Sequence, residues 1–450
     1  MSRLIRNQDN QYNLTLTDRP EGEEEKASLL RELSSFRRID PAYLIVSLLL
    51  VCYGLIVLFS ASMSTAFATQ GDNSTYYFMR QAGYSLGGLA IGLAVASFVN
   101  INFFRKKGFY FIAYGLTSVF LLMVFVAGTT QLGAQRWLYI GSIGFQPSEV
   151  AKFMSIYVLS GYFSEVMARK KRGHFRAKDS KQQFWLDGRI LFLYPVAIVA
   201  FWFILILIQP HLSGAIIFAA CCFMVFIAAK IPWRAWLSGL IQLFPIVLAG
   251  LLILGLVFPL IKGGQSLPEY IQERFAHSTQ RIETFTEAEG LSEDQVYQTK
   301  QAEITMGSGG FTGLGLGKGR QKYNYLPQIH NDYIFPAIAE ELGYVGTMLV
   351  LLLFIVQYLL GVRISLKSRS LFASLIAWGF SFLLILQVAL NVGVAAEVIP
   401  ATGITLPFFS YGGTSNIIFL IEVGMVLCVS RTGQKENELI RYSIRPAERG

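Results

Sequence analysis

Ten apolar runs, each 18 to 30 residues long, divide the chain: 43–66, 82–100, 108–129, 147–166, 190–208, 212–229, 236–261, 332–361, 371–393 and 408–430. An α-helix rises 1.5 Å per residue, so about 20 residues cross the ~30 Å hydrocarbon layer of a bilayer. The pattern predicts an all-α integral membrane protein with ten transmembrane helices. The first run follows some 40 polar residues and lacks a small-residue cleavage site, so it reads as a retained span and not a signal peptide.

The polar segments between the runs differ in charge. Arg105 to Lys107, eight Lys and Arg between Arg169 and Arg189, Lys230 with Arg234, and Arg363, Lys367 and Arg369 fall in alternate loops. Arg37, Arg38, Arg431 and Lys435 flank the outermost spans. Positive charge collects on the cytoplasmic side, so both termini are predicted to be cytoplasmic. One long extracytoplasmic loop, 262–331, then separates helices 7 and 8. This gives a cytoplasmic tail over 1–40, a membrane domain over 41–430 and a second tail over 431–450. In the first tail Leu29, Leu30, Leu33 and Phe36 recur at helical spacing ahead of Arg37 and Arg38. That suits a helix lying on membrane lipids at the inner surface, with a partner-binding helix as the alternative.

Composition agrees: 53% of residues are hydrophobic and 15% charged, against about 25% charged in a soluble domain. A net charge of +9 would by itself suit nucleic acid, but the cations sit where topology requires them, and no nucleic-acid partner is expected. The four cysteines lie inside apolar runs without metal-ligand spacing and read as small buried hydrophobes. No metal or cofactor site is evident.

Candidate chemistry concentrates in and around the long loop. The glycine-rich run from Gly307 to Gly319 invites a phosphate-cradling reading. It fails the G-x-x-x-x-G-K-[ST] template, because Thr312 and Gly319 occupy the first and last positions, and it runs G-x-G-x-G instead of G-x-G-x-x-G. It reads instead as a flexible, partly basic floor whose Lys318, Arg320 and Lys322 could meet phosphate carried by lipid. Upstream, Glu283, Glu287, Glu289, Glu293 and Asp294 place five carboxylates within twelve residues, either a solvated acidic loop or a general base beside a substrate. Charges inside the spans are costly and usually functional or paired. Glu149 and Lys152 share one helical face three residues apart, as an ion pair lining a polar cavity or as a structural pair. Arg80 and Arg136 sit at the outer boundary with Trp137 as an aromatic platform, fit to hold a pyrophosphate and a sugar or lipid. Glu340, Glu341, Glu397 and Glu422 are further intramembrane or boundary carboxylates with no assigned partner.

Three stretches, 133–152 (GAQRWLYIGSIGFQPSEVAK), 297–346 (containing NYLPQIHNDYIFPAIAEELGYVG) and 391–416 (NVGVAAEVIPATGITLPFFSYGGTSN), resemble in order and spacing the hallmark regions of the SEDS family. Its FtsW, RodA and SpoVE members act in bacterial division, elongation and sporulation. The resemblance implies a peptidoglycan glycosyltransferase in the bacterial cytoplasmic membrane, most like FtsW, polymerising lipid II at the outer face. One sugar hydroxyl would attack the anomeric carbon of the growing chain, a carboxylate would act as base, and undecaprenyl pyrophosphate would leave. It also implies a class B penicillin-binding transpeptidase and other division or elongation proteins as partners. A divalent cation at the leaving pyrophosphate is compatible with this chemistry. Lipid II transport and a noncatalytic scaffold are the competing readings.

Carried over by motif, Glu149, Lys152, Arg136, Trp137 and Arg80 line the substrate cavity, with Lys318, Arg320 and Lys322 as further pyrophosphate ligands. The catalytic position departs from the family pattern F-L-D-P-x-x-D-P-x-G-x-G-Y-Q. Aligned on Phe285 and Gln298, it falls on Leu291, which cannot accept a proton, and a local shift brings Asp294 or Glu293 into place, Asp294 being favoured. His211 stands where the family carries an aspartate, in QPHLSG.

Overall fold

A computed structural model describes residues 39–131, 134–141, 143–209, 211–261, 266–274, 293–323, 325–400 and 403–444. The N-terminal tail pattern and Leu291, Glu283, Glu287 and Glu289 lie outside them. The chain is mostly helical: α1 Pro41–Thr69, α2 Tyr76–Phe98, α3 Lys107–Ala127, α4 Pro147–Lys171, α5 Ser180–Ile208, α6 Leu212–Ala228, α7 Trp233–Ile261, α8 Leu267–Arg274, α9 Glu293–Ser308, α10 Ile334–Lys367, α11 Leu371–Ala395 and α12 Gly413–Ile444. Eight of these helices are long and apolar enough to cross a membrane. Helices α4, which carries charge, and α6, at 17 residues, coincide with the other two apolar runs.

Local chemistry sets several helix ends. Asp40 caps α1 by accepting from the amides of Ala42 and Tyr43, with Pro41 at the first helical position. The Asp40 amide in turn donates to the Ser430 hydroxyl at 3.0 Å, tying α1 to α12. Helix α5 begins earlier than hydropathy alone predicts, because the polar residues 180–188 form its first turns ahead of a π-helical turn at Arg189–Leu193.

The segment before α4 departs from an all-α architecture. Residues 129–145 form a three-stranded antiparallel sheet, β1 Thr129–Gln131, β2 Ala134–Ile140 and β3 Ile143–Phe145. Threonine and aromatic residues favour this pleated surface over a helix, and Gly141 turns the chain between β2 and β3 with a positive φ. The Thr414 hydroxyl donates to the Gly144 carbonyl, joining the sheet to the start of α12.

The core lies where α12 packs against α2, and α10 against α1 and α11. Helices α2 and α12 approach so closely that a Cβ on Gly92 would meet the Leu420 carbonyl, and one on Gly424 the backbone of Gly92. Cys221, Cys222 and Cys428 are buried as expected; Cys52 is exposed, because its position on α1 turns away from the bundle. Helix α7 presents its central apolar residues outward, as a lipid-facing helix does.

The Gly92 contact gives a paired test. Gly92→Ala is expected to cost about 1–3 kcal/mol by overpacking, read as a lower thermal unfolding midpoint of the detergent-solubilised protein. Gly87→Ala makes the same chemical change on the same helix with nothing within 4 Å of the new methyl. It is expected to leave the midpoint unchanged or raise it slightly.

Candidate functional site

The end of the bundle that carries the glycine run gathers the starts of α2, α4, α10 and α12. Helix α4 opens on Pro147, with Glu149 in its first turn and Lys152 one turn on. The two side chains form an ion pair at 2.7 Å; Lys152 is 2% exposed and Glu149 15%. An ammonium buried this deeply stands only with a carboxylate beside it, and the positive helix terminus adds favourable field at Glu149. His211, at the start of α6, places Nδ1 3.2 Å from the Ser148 hydroxyl and 3.4 Å from the Gln146 amide nitrogen. It therefore fastens α6 to the first turn of α4. Arg136 and Trp137 lie on β2, the strand that leads into this turn. The β1–β2 register shifts at this point, with Thr129 opposite Trp137 and Thr130 opposite Gln135, so Arg136 falls at an irregularity in the ladder.

Arg80 lies in the first two turns of α2. Its guanidinium donates to the Tyr76 hydroxyl at 2.7 Å and to the Tyr84 hydroxyl at 3.3 Å. Next to it Tyr77 packs on His330 with ring centres 4.5 Å apart and on Tyr411 at 4.9 Å. Segments 328–333 and 404–412 are laced to the bundle here. The Tyr411 amide donates to the His330 carbonyl, the Gln81 side chain to the Ser410 carbonyl, and the Asn391 side chain to the Asp332 and Ile404 carbonyls. Burial pushes His330 down to about 4, so its imidazole is neutral at pH 7 and adds no positive charge. Burial and the charge of Arg80 act in opposite senses on Tyr411; burial dominates and pushes it up to about 12.

The glycine run is neither free nor floppy. Gly317 and Gly319 donate their amides to the Glu341 carboxylate at 3.2 and 3.4 Å, and Arg320 and Gln321 donate theirs to Glu340 at 2.8 and 3.3 Å. The Ser60 hydroxyl of α1 donates to Glu341 at 2.6 Å, and the Lys322 ammonium lies 3.1 Å from it. Successive amides of this kind form an anion-binding concavity, and here the anions belong to the chain itself. Helix α10 accommodates the loop by breaking at Gly343, whose φ of 66° and lack of a Cβ let the backbone of Thr312 and Gly313 pass. Among the three basic residues of the loop, Lys318 and Arg320 are exposed while Lys322 is 1% exposed and committed to Glu341.

Glu293 and Asp294 are the first two residues of α9, which packs along α10 and touches α11. Farther along α9 lies Glu303. Burial, then the Glu303 charge, pushes the Glu397 carboxyl above its ordinary value. Among the described residues no cluster of three His, Cys, Asp or Glu side chains could hold a metal ion.

Residues 41–435 match the family model of the FtsW, RodA and SpoVE cell cycle proteins. The chain belongs to this family. It is 33% identical over 397 residues to stage V sporulation protein E of Bacillus subtilis, covering 87% of this chain and 97% of that one. It is 31% identical over 394 residues to a probable peptidoglycan glycosyltransferase FtsW of Coxiella burnetii, covering 87% and 96%. A peptidoglycan synthase complex described as coordinating polymerization and crosslinking superposes with a TM-score of 0.59 at 26% identity, over 88% of this chain and 98% of that one. Thermus thermophilus RodA shares the fold with a TM-score of 0.57 at 24% identity, over 87% and 97%.

Two features of this end of the bundle escaped sequence reasoning: the anchoring of the glycine run on Glu340 and Glu341, and the His330–Tyr77–Tyr411 stack. Only the first left a signal, two adjacent glutamates in an apolar helix together with a glycine every second residue. Glu341→Gln is expected to destabilise the protein by about 3–5 kcal/mol, because Lys322 is left buried without its carboxylate. Trypsin cleavage after Lys318 and Arg320 should accelerate in step, and Lys322→Met in the same background should restore part of the loss.

Proposed function

We propose that this protein is a peptidoglycan glycosyltransferase that polymerises lipid II at the outer face of the bacterial cytoplasmic membrane during cell division. Family membership over residues 41–435 supports the class of reaction, as do relatives named as probable peptidoglycan glycosyltransferases. The observation that carries the reading is the buried Glu149–Lys152 pair at the head of α4. An intramembrane ion pair at one end of a helix bundle is costly unless it serves a polar cavity, and lipid II brings a polar headgroup to such a place.

In this reading the chain crosses the membrane ten times with both termini in the cytoplasm, and the loop-bearing end faces outward. The domain organisation is the membrane domain 41–430 between two cytoplasmic tails. Arg80, Lys318 and Arg320 supply the cationic side for the pyrophosphate, being half-buried or exposed. Lys152 and Glu149 shape the cavity while neutralising each other, and Arg136 and Trp137 line it from β2. Lys322 acts indirectly, by holding the loop that carries Lys318 and Arg320. Asp294 or Glu293 at the start of α9 takes the proton from the attacking sugar hydroxyl as the oxygen bonds to the anomeric carbon, and undecaprenyl pyrophosphate departs. A divalent cation would assist that departure by neutralising the leaving charge. The resemblance to a peptidoglycan synthase complex supports a transpeptidase partner of the class B penicillin-binding type. A sporulation role is the alternative setting, favoured by the similarity to stage V sporulation protein E.

The test is polymerisation of labelled lipid II by the protein reconstituted with its transpeptidase. A positioned general base contributes roughly 10²–10⁴-fold, so the Glu293→Gln/Asp294→Asn double variant should fall by at least about 100-fold. Polymer formed by the double variant at the full rate would remove these residues from catalysis. No polymer from the wild type, with lipid II crossing vesicle membranes, would establish transport instead.

A further inference from the structure

Far from the glycine loop, three buried oxygens have no hydrogen-bond partner among the described residues: Tyr43 Oη, Gln357 Oε1 and Ser381 Oγ. They belong to α1, α10 and α11, and the three residues are 0%, 3% and 2% exposed. Gln357 lies 14 residues beyond the Gly343 break, about 21 Å along α10. An unpaired polar atom is costly to bury in an apolar bundle. Three of them at one place point to a further group that pairs with them.

The three side chains line one cavity, closed by aromatic and aliphatic residues such as Phe354 and Leu384. Its volume is about 10 Å³, close to the least that admits a single water and too little for a lipid headgroup. No lining residue carries a charge that would balance an ion. Neighbouring bonds fix what the cavity offers. The Ser47 hydroxyl donates to the Tyr43 carbonyl at 2.7 Å, so its oxygen accepts from the Gln357 amide nitrogen at 3.1 Å. That orients the Gln357 amide and leaves Oε1 as an acceptor. The Tyr43 and Ser381 hydroxyls can each donate or accept. Gly361 on α10 keeps the place open, since a Cβ there would collide with Ser381 Oγ.

We propose that this cavity binds one water molecule, which donates to Gln357 Oε1 and pairs with the Tyr43 and Ser381 hydroxyls. A buried water typically makes about three hydrogen bonds, and a bridging water is nearly as good as a direct bond. The water joins α1, α10 and α11 and completes a second polar clamp on the seam between α1 and α10. Ser60 and Glu341 form the first clamp at the loop-bearing end; Ser47, Gln357 and the water form the other. Helix α10 is thereby fixed beyond its break at Gly343, which gives the Glu340 and Glu341 anchors a rigid support. The site lies apart from the residues assigned to glycan synthesis and does not depend on that reading.

The test is X-ray hydroxyl-radical footprinting of the full-length protein in lipid nanodiscs, where radicals formed from a bound water label the side chains beside it. Tyr43 should be hydroxylated although it is 0% exposed. Tyr157, 5% exposed with its hydroxyl donating to the Phe104 carbonyl, serves as the buried control. Ser381→Ala and Gln357→Leu each remove one partner of the water and should lose the Tyr43 label while the Tyr157 label stays unchanged. Tyr43 labelled no more than Tyr157 in the wild type, or labelled equally in wild type and both variants, overturns the proposal. Should either variant fail to fold, a wild-type structure at a resolution that shows ordered waters decides. Density within about 3 Å of Tyr43 Oη, Gln357 Oε1 and Ser381 Oγ supports the site. Direct bonds among the three side chains, with no such density, overturn it.

Discussion

The carboxylate of Glu341 gathers a hydroxyl, two backbone amides and an ammonium at a single point, and the architecture around it follows from that demand. Inside a membrane protein there is no bulk water to satisfy a charge, and non-helical backbone is tolerated only where protein covers it. Ser60 comes from α1, the amides of Gly317 and Gly319 from the loop, and Lys322 from the chain beyond it. The loop must pass against α10 to deliver them, so α10 breaks at Gly343. Glu340, one residue earlier, holds the next two loop amides. A glycine run that looks built for a foreign phosphate is occupied by the chain's own carboxylates.

The same constraint sorts the cations of the loop-bearing end into two kinds. Lys322 and Lys152 are buried and matched to Glu341 and Glu149, so they stabilise the site without presenting net positive charge. Arg80, Lys318 and Arg320 keep contact with the surface, and an anionic ligand would meet these. His330 is held neutral by burial and belongs with the tyrosines, as a wall of the site and not as a charge. Exposed cations and buried, paired ones are thereby told apart, a distinction that composition alone cannot make.

Hydropathy revealed most of the fold because ~20 apolar residues leave few alternatives to a spanning helix. The Glu149–Lys152 pair was legible for a related reason: two charges three residues apart in an apolar helix have few partners but each other. The rest depended on contacts distant in sequence. Nothing near Lys322 indicates that it pairs with Glu341 while Lys318 and Arg320 stay exposed. Nothing in the local sequence shows that Arg136 falls where the β1–β2 register shifts. His211, out of place in its motif, reaches Ser148 and Gln146, more than sixty residues earlier in the chain. Glu422 was visible as an intramembrane charge, but only the packed structure shows that it is fully buried.

The proposed reaction places glycan polymerisation in this membrane domain and not in a transpeptidase partner. It is tested most directly by supplying lipid II to the reconstituted pair after a β-lactam has blocked the transpeptidase active site, and sizing the product before and after muramidase digestion. The account predicts long, uncrosslinked glycan that muramidase cuts to disaccharide units. Unreacted lipid II under conditions where both proteins are folded and associated would contradict it.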